Sequence, residues 1–195
     1  FGERSADEFI AGLDALEKEG LSGLIIDLRN NPGGLLVAAV PIVDQFVAGD
    51  LPIVTQKGRG KSKESGEVIT PADPSARPNY PIVVLVNQRS ASASEIVAGA
   101  LQDFGRATLV GKRTFGKGSV QRLIPLSSDA QKVLGGEGQL RLTVQYYFLP
   151  LGRCIHTIRD GNGVVIEQGG VPPDIEVDAD RIPACRAEEK ERLRT

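Results

Sequence analysis

An α/β fold with an additional β-rich lobe is what this sequence predicts, on three observations. Short apolar runs at residues 23–28, 82–86 and 107–110 read as strands of a buried sheet, and the first two each lead through a loop into a helix-like apolar segment. After about residue 118 the helical period gives way to alternating β-branched and aromatic segments. The length of 195 residues suffices for one sizeable core, at a soft prior of about 150 residues per domain.

In chain order, Ser5 and Glu8 match a capping box, and Phe9, Leu13 and Leu16 recur at i, i+4 and i+7, which predicts a helix ended by Gly20. Residues 23–28 predict a strand buried on both faces, halted by Arg29-Asn30-Asn31-Pro32-Gly33-Gly34. Residues 35–47 are almost wholly apolar and predict a buried helix kinked or restarted at Pro41. Residues 53–56 and 67–70 pair as a hairpin whose polar tip, with Lys57, Arg59, Lys61 and Lys63, reads as solvated rather than as a nucleic-acid patch. A proline-rich connector, 71–81, leads into the strand 82–86 and the turn Asn87-Gln88-Arg89. A helix then starts near Ser92, with Val97, Ala100, Leu101 and Phe104 on its apolar face and Gly105 just past its end. Residues 107–110 complete a β-α-β unit. Strands follow at 119–126 and 139–148, with shorter ones at 154–158 and 164–166, and Leu140, Leu142, Val144 and Tyr146 alternate as in a half-buried strand. Residues 1–185 form one domain, and the mostly charged tail 186–195 is exposed.

A composition of 41% hydrophobic, 25% charged and 5% aromatic residues excludes disordered, collagenous and coiled-coil chains. The longest apolar run is about six residues, against about twenty for a membrane span. With 23 Lys plus Arg against 25 Asp plus Glu, the net charge of −2 offers no general attraction for nucleic acid or acidic lipid. Cys154 and Cys185 lack metal-ligand spacing, and a single disulfide or two free thiols are both open. His156, the only histidine, is too little for a zinc site. The chain contains no Met and begins without a basic or apolar leader, so a signal, an anchor or another domain is expected upstream of Phe1 in a longer precursor.

Four motifs carry chemistry. Asn30-Asn31-Pro32-Gly33-Gly34, between strand and helix, can aim backbone N–H groups at an anion or form an ordinary tight turn. Residues 111–117 (GKRTFGK) fit the first seven positions of a phosphate-binding loop, but Gly118 stands where Ser or Thr would hold magnesium, and the following residues look extended. Ser90-Ala91-Ser92-Ala93-Ser94-Glu95 puts three serines at a strand-to-helix transition, where a nucleophile is presented, although Ser92 and Glu95 also match a plain capping box. A serine nucleophile needs a base, and His156, in a strand-like setting, reads as incidental. Lys117, flanked by glycines, is the other candidate. An unperturbed lysine, with a pKa of about 10.4, is neutral in only about one molecule in 2,500 at pH 7, so a lysine base must be desolvated.

Together with 27–34 (DLRNNPGG), 98–103 (AGALQD), 116–121 (GKGSVQ) and 170–175 (GVPPDI), these blocks resemble the C-terminal processing peptidases, or tail-specific proteases, of the S41 serine peptidase type. The resemblance covers about residues 1–178. It implies a crotonase/ClpP-like arrangement of ββα units, and a Ser/Lys dyad with Ser92 as nucleophile and Lys117, 117 − 92 = 25 residues on, as base. It makes Gln121 the residue that orients the lysine; if the segment is extended the two Cα atoms lie about 13 Å apart, so a bend near Gly118 or the long side chains must close the gap. The oxyanion hole would use the N–H of Ala93 and of Gly33 or Gly34, with Glu95, Asp103 and Thr114 as supporting residues. No metal or cofactor is required.

The activity implied is endoproteolysis near protein C-termini, outside the cytoplasm, in the periplasm or a comparable compartment. Membrane association through a preceding segment and a homo-oligomer are compatible with it. A PDZ domain that binds substrate tails is implied before Phe1. Two rival readings are a non-catalytic peptide-binding module of the same fold and, disfavoured by Gly118, a P-loop-like nucleotide binder.

Overall fold

The computed structural model describes residues 1–48, 52–58, 67–69 and 77–177. Its elements are α1 (Ser5–Lys18), β1 (Leu24–Asp27), α2 (Leu36–Asp44), β2 (Val54–Gly58), β3 (Glu67–Ile69), β4 (Ile82–Val86), α3 (Ala93–Asp103), β5 (Thr108–Gly111), β6 (Ser119–Pro125), α4 (Ser128–Leu134), β7 (Gln139–Phe148), β8 (Ile158–Arg159), β9 (Val165–Glu167) and β10 (Ile175–Glu176). Most of the hairpin tip, the start of the proline-rich connector, Cys185 and the charged tail lie outside the described residues.

Four parallel strands form the central sheet in the order β1-β4-β5-β10. The β-branched run of β4 alternates, with Ile82, Val84 and Val86 at most 3% exposed, and these residues share one core with Leu13, Ile42, Phe46, Val97 and Leu101 from α1, α2, the residues after α2, and α3. The expectation of a doubly buried first strand is corrected. β1 is the edge of the sheet, and Ile25, on the face opposite that core, is 69% exposed while Ile26 is buried. α2 runs through Pro41 without restarting, because the bond Pro41 lacks is to Val37 in its exposed first turn. At the start of α1 the capping box does not form: Arg4 is the N-cap, and Ser5 Oγ accepts the Gly2 N–H at 2.8 Å.

The second sheet, β3-β2-β7-β6, is antiparallel, so the expected hairpin of β2 and β3 forms. In β7 the expected half-buried alternation fails over residues 139–143, which are exposed on both faces. Among the described residues β7 pairs there with β6 alone, as a two-stranded ribbon, the last described β2 partner being Gly58 opposite Gln145. α4, at the tip of this ribbon, has no counterpart in the sequence expectations. Val133 and Leu134 are exposed, so no apolar stripe marks it, although Ser127 capping Ala130 and left-handed Gly135 were legible signals. Residues 154–157 form one isolated bridge, Cys154 to Phe148, rather than a strand, since their backbone bonds elsewhere: Thr157 N–H to Gly116 and the Gly170 N–H to Ile155.

Candidate active site

Three loops converge at the C-terminal ends of β1, β4 and β5, the end of a parallel sheet at which ligands bind. Asn87 Oδ1 accepts the Asn30 N–H at 3.0 Å and Asn87 Nδ2 donates to Asn30 Oδ1 at 3.1 Å, joining the first loop to the second. The Ala91 N–H donates to the Asn31 carbonyl, and the Phe115 N–H to the Ser90 carbonyl, both at 3.0 Å, which ties in the third loop.

Burial separates the three serines. Ser90 and Ser94 are 0% exposed, whereas Ser92 between them is half-buried and reachable. Ser92 precedes α3 with φ 58° and ψ −118°, a conformation costly for a residue with a Cβ, about 1–3 kcal/mol, and typical of functional turns. The expected capping box is present: the Glu95 side chain accepts the Ser92 N–H at 2.8 Å and the Ser92 side chain faces the Glu95 N–H, and together they fix this turn.

Glu95 is itself 0% exposed. Its Oε1 accepts from Thr114 Oγ1 at 2.5 Å and the Gly116 N–H at 2.7 Å; its Oε2 accepts from the Ser92 and Lys117 N–H groups, each at 2.8 Å. One carboxylate thus holds the backbones of Ser92 and Lys117 together, and four donors offset the cost of its burial. Thr114 in turn accepts the Val171 N–H at 2.7 Å, which docks the Gly170-Val171-Pro172-Pro173 segment on the same hub. The side chain of Lys117 stays exposed and, among the described residues, makes no hydrogen bond or ion pair. Gln121 is exposed on β6, beside a β-bulge between Val120 and Gln121, the kind of irregularity that re-aims side chains along a strand.

Of the two glycines, Gly33 faces the serine turn. A Cβ there would overlap the Ala91 carbonyl and lie 2.7 Å from Ala93 N and 2.8 Å from Ser92 Cβ, and its φ is +88°. Gly34 faces the Phe1 carbonyl instead. Gly33→Ala therefore forces two backbone segments apart, and a loss of more than about 1 kcal/mol is expected in urea unfolding.

A family model, Peptidase family S41, matches residues 1–177. The chain belongs to the S41 peptidase family. Similar proteins include the carboxy-terminal-processing protease of Bartonella bacilliformis, 40% identical over 173 residues (86% of this chain, 37% of that protein), and the carboxy-terminal processing protease CtpB of Bacillus subtilis, 37% identical over 157 residues (80% and 30%). The S41 chain spans about a third of the length of these curated relatives. The solved photosystem II D1 C-terminal processing protease superposes with a TM-score of 0.69 at 34% identity, covering 94% of this chain and 42% of that one. The α/β fold expected from the sequence is thus that of S41 peptidases.

Within this S41 domain the phosphate-loop reading is overturned. The N–H groups of Lys112, Thr114, Phe115, Gly116 and Lys117 donate to Val86, Val171, Ser90 and Glu95, leaving none of these to cradle an anion, and strand β6 rather than a helix follows. Asp103 is not brought to the S41 site. It sits at the far end of α3, paired with Arg153 at 2.7 Å and accepting the Leu151 N–H at 3.0 Å. His156 packs against Tyr146 with ring centroids 4.9 Å apart and the planes tilted by 40°; burial lowers its proton affinity, and its Nδ1 has no hydrogen-bond partner among the described residues. No group of three metal-ligating side chains occurs among the described residues. The sequence expectations missed the roles of Asn30, Asn87, Ser90 and Ser94. The serine triplet was visible, but only as a choice among nucleophiles.

Proposed function

We propose that this S41 chain is the catalytic domain of a serine endopeptidase that cleaves proteins near their C-termini, with Ser92 as nucleophile and Lys117 as general base. The observation that carries this reading is the Glu95 hub, which bonds the backbone N–H of the accessible, strained Ser92 and that of Lys117 at 2.8 Å each. The names of the relatives support the substrate class.

In the reaction the neutral Lys117 amine takes the Ser92 hydroxyl proton as Oγ attacks the scissile carbonyl carbon. The oxyanion is met by the N–H of Ala93, the first residue of α3, with the second donor from Gly34, or from Gly33 if its N–H leaves Asn31 Oδ1, to which it donates at 3.0 Å in the free chain. The proton passes to the leaving amine, and water then hydrolyses the acyl-enzyme. Lys117 is exposed in the free chain, and an extended substrate lying across it would shield the site from bulk water. Gln121 orients the lysine, and Thr114 acts through Glu95.

No step calls for a metal or cofactor. Tail selection by a PDZ domain elsewhere in a longer protein, homo-oligomerisation and an extracytoplasmic location belong to the same reading. Among the described residues no helix is long and apolar enough to cross a membrane.

Lys117→Ala tests the dyad. Because the Lys117 side chain has no partner among the described residues, the variant should fold normally, lose about 10³-fold in kcat and label slowly with a fluorophosphonate at neutral pH. Labelling at the parent's rate counts against the base assignment. Stoichiometric peptide binding without turnover by the parent protein would favour the peptide-binding module instead.

A further inference from the structure

Ser90 and Ser94 take no part in the chemistry above, yet both are 0% exposed with committed hydroxyls. Ser90 Oγ donates to the Leu28 carbonyl at 2.7 Å and accepts the Asn87 N–H at 3.0 Å. Ser94 Oγ donates to the Asn31 carbonyl at 3.0 Å, beside the Ala91 N–H that bonds the same oxygen. Both acceptors lie on the loop that carries Gly33. Leu28 is the root of that loop, and Asn31 lies two residues before the glycine. Ser94 sits in the first turn of α3, where a serine commonly bonds its own helix, but its hydroxyl reaches 63 residues back along the chain.

We infer that Ser90 and Ser94 are positioning residues: their hydroxyls hold the Leu28–Asn31 carbonyls so that the Gly33 loop stays in register with Ser92 and Ala93. The inference rests on Ser92 being the nucleophile. Its physical basis is that oxyanion donors act only when placed within a few tenths of an ångström of the developing charge, and here the two donors sit on different loops. A Cβ added at Gly33 would lie only 2.7 Å from Ala93 N and 2.8 Å from Ser92 Cβ, which shows how little slack separates those loops. Two buried hydroxyl bonds that cross between them are suited to fix that spacing.

The test uses Ser90→Ala and Ser94→Ala in the purified protein, with rates normalised to sites titrated by a fluorophosphonate. Each variant is expected to lose about 10-fold to 10²-fold in kcat while KM stays within about twofold. Affinity for a peptide aldehyde, whose tetrahedral adduct presents an oxyanion, should weaken by the same factor, while a product peptide of the same sequence binds as it does to the parent. A role in folding alone gives the opposite pattern, a lower melting temperature and fewer titratable sites, with kcat per site and aldehyde affinity within about threefold of the parent; that result overturns the assignment. Should Ser90→Ala fail to fold, Ser94→Ala decides the matter, because the Asn31 carbonyl keeps the Ala91 N–H. Full activity in Ser92→Ala would overturn the nucleophile reading and this inference with it. Loss of activity in Ser92→Ala beside an unchanged kcat in Ser94→Ala overturns this inference alone.

Discussion

Ser92→Ala is expected to reduce hydrolysis of an unstructured protein by about 10⁴-fold or more and to abolish fluorophosphonate labelling. Only the Oγ is removed, so the oxyanion donors and the Glu95 bonds to Ser92 and Lys117 remain. Stability should therefore stay within about 1 kcal/mol of the parent. A companion variant separates strain from chemistry. At φ 58° and ψ −118° a glycine loses nothing sterically, so Ser92→Gly should be equally inactive yet more stable by about 1 kcal/mol in urea unfolding. A Ser92→Ala protein that digests the substrate at the parent's rate would remove Ser92 from the mechanism.

Glu95→Ala should damage both fold and activity. Four donors, the Thr114 hydroxyl and the N–H groups of Gly116, Ser92 and Lys117, lose an acceptor that is itself 0% exposed. Hydrogen bonds to a charged group contribute about 1.5–3 kcal/mol each, and even with strong non-additivity a loss of at least about 4 kcal/mol is expected. Glu95→Gln keeps the shape but turns an NH₂ toward one pair of donors, either Thr114 and Gly116 or Ser92 and Lys117. Its fold should survive better, with kcat down about 10²-fold. Chemical unfolding and steady-state kinetics on both variants check this, and a Glu95→Ala protein with the parent's unfolding midpoint and kcat would contradict the hub.

Legibility followed local signals. β4 and α3 were readable because the first is a β-branched run between breakers and the second has an apolar stripe and a left-handed glycine, Gly105, just past its end. β1 was misread as doubly buried, since a continuous apolar run does not say whether a strand is central or at an edge. α4 went unread because Val133 and Leu134 point to solvent, so nothing periodic is buried there. Glu95 was legible as a capping residue, but its bonds to Thr114, Gly116 and Lys117 span 19, 21 and 22 residues. Asp103 was grouped with the site by its block, whereas the helix carries it to the opposite end, onto Arg153.

By itself, the sequence determined the fold class, the strand-loop-helix units, and the residue types from which a serine site could be assembled, because apolar period, breakers and small residues act over a few positions. Which serine is reachable, which glycine faces it, and that one buried carboxylate joins Ser92 to Lys117 were decided only by the tertiary structure. The reason is physical. Burial and hydrogen-bond partnership at Ser90, Ser92, Ser94 and Gly33 arise where loops from β1, β4 and β5 meet, and no local pattern encodes that meeting.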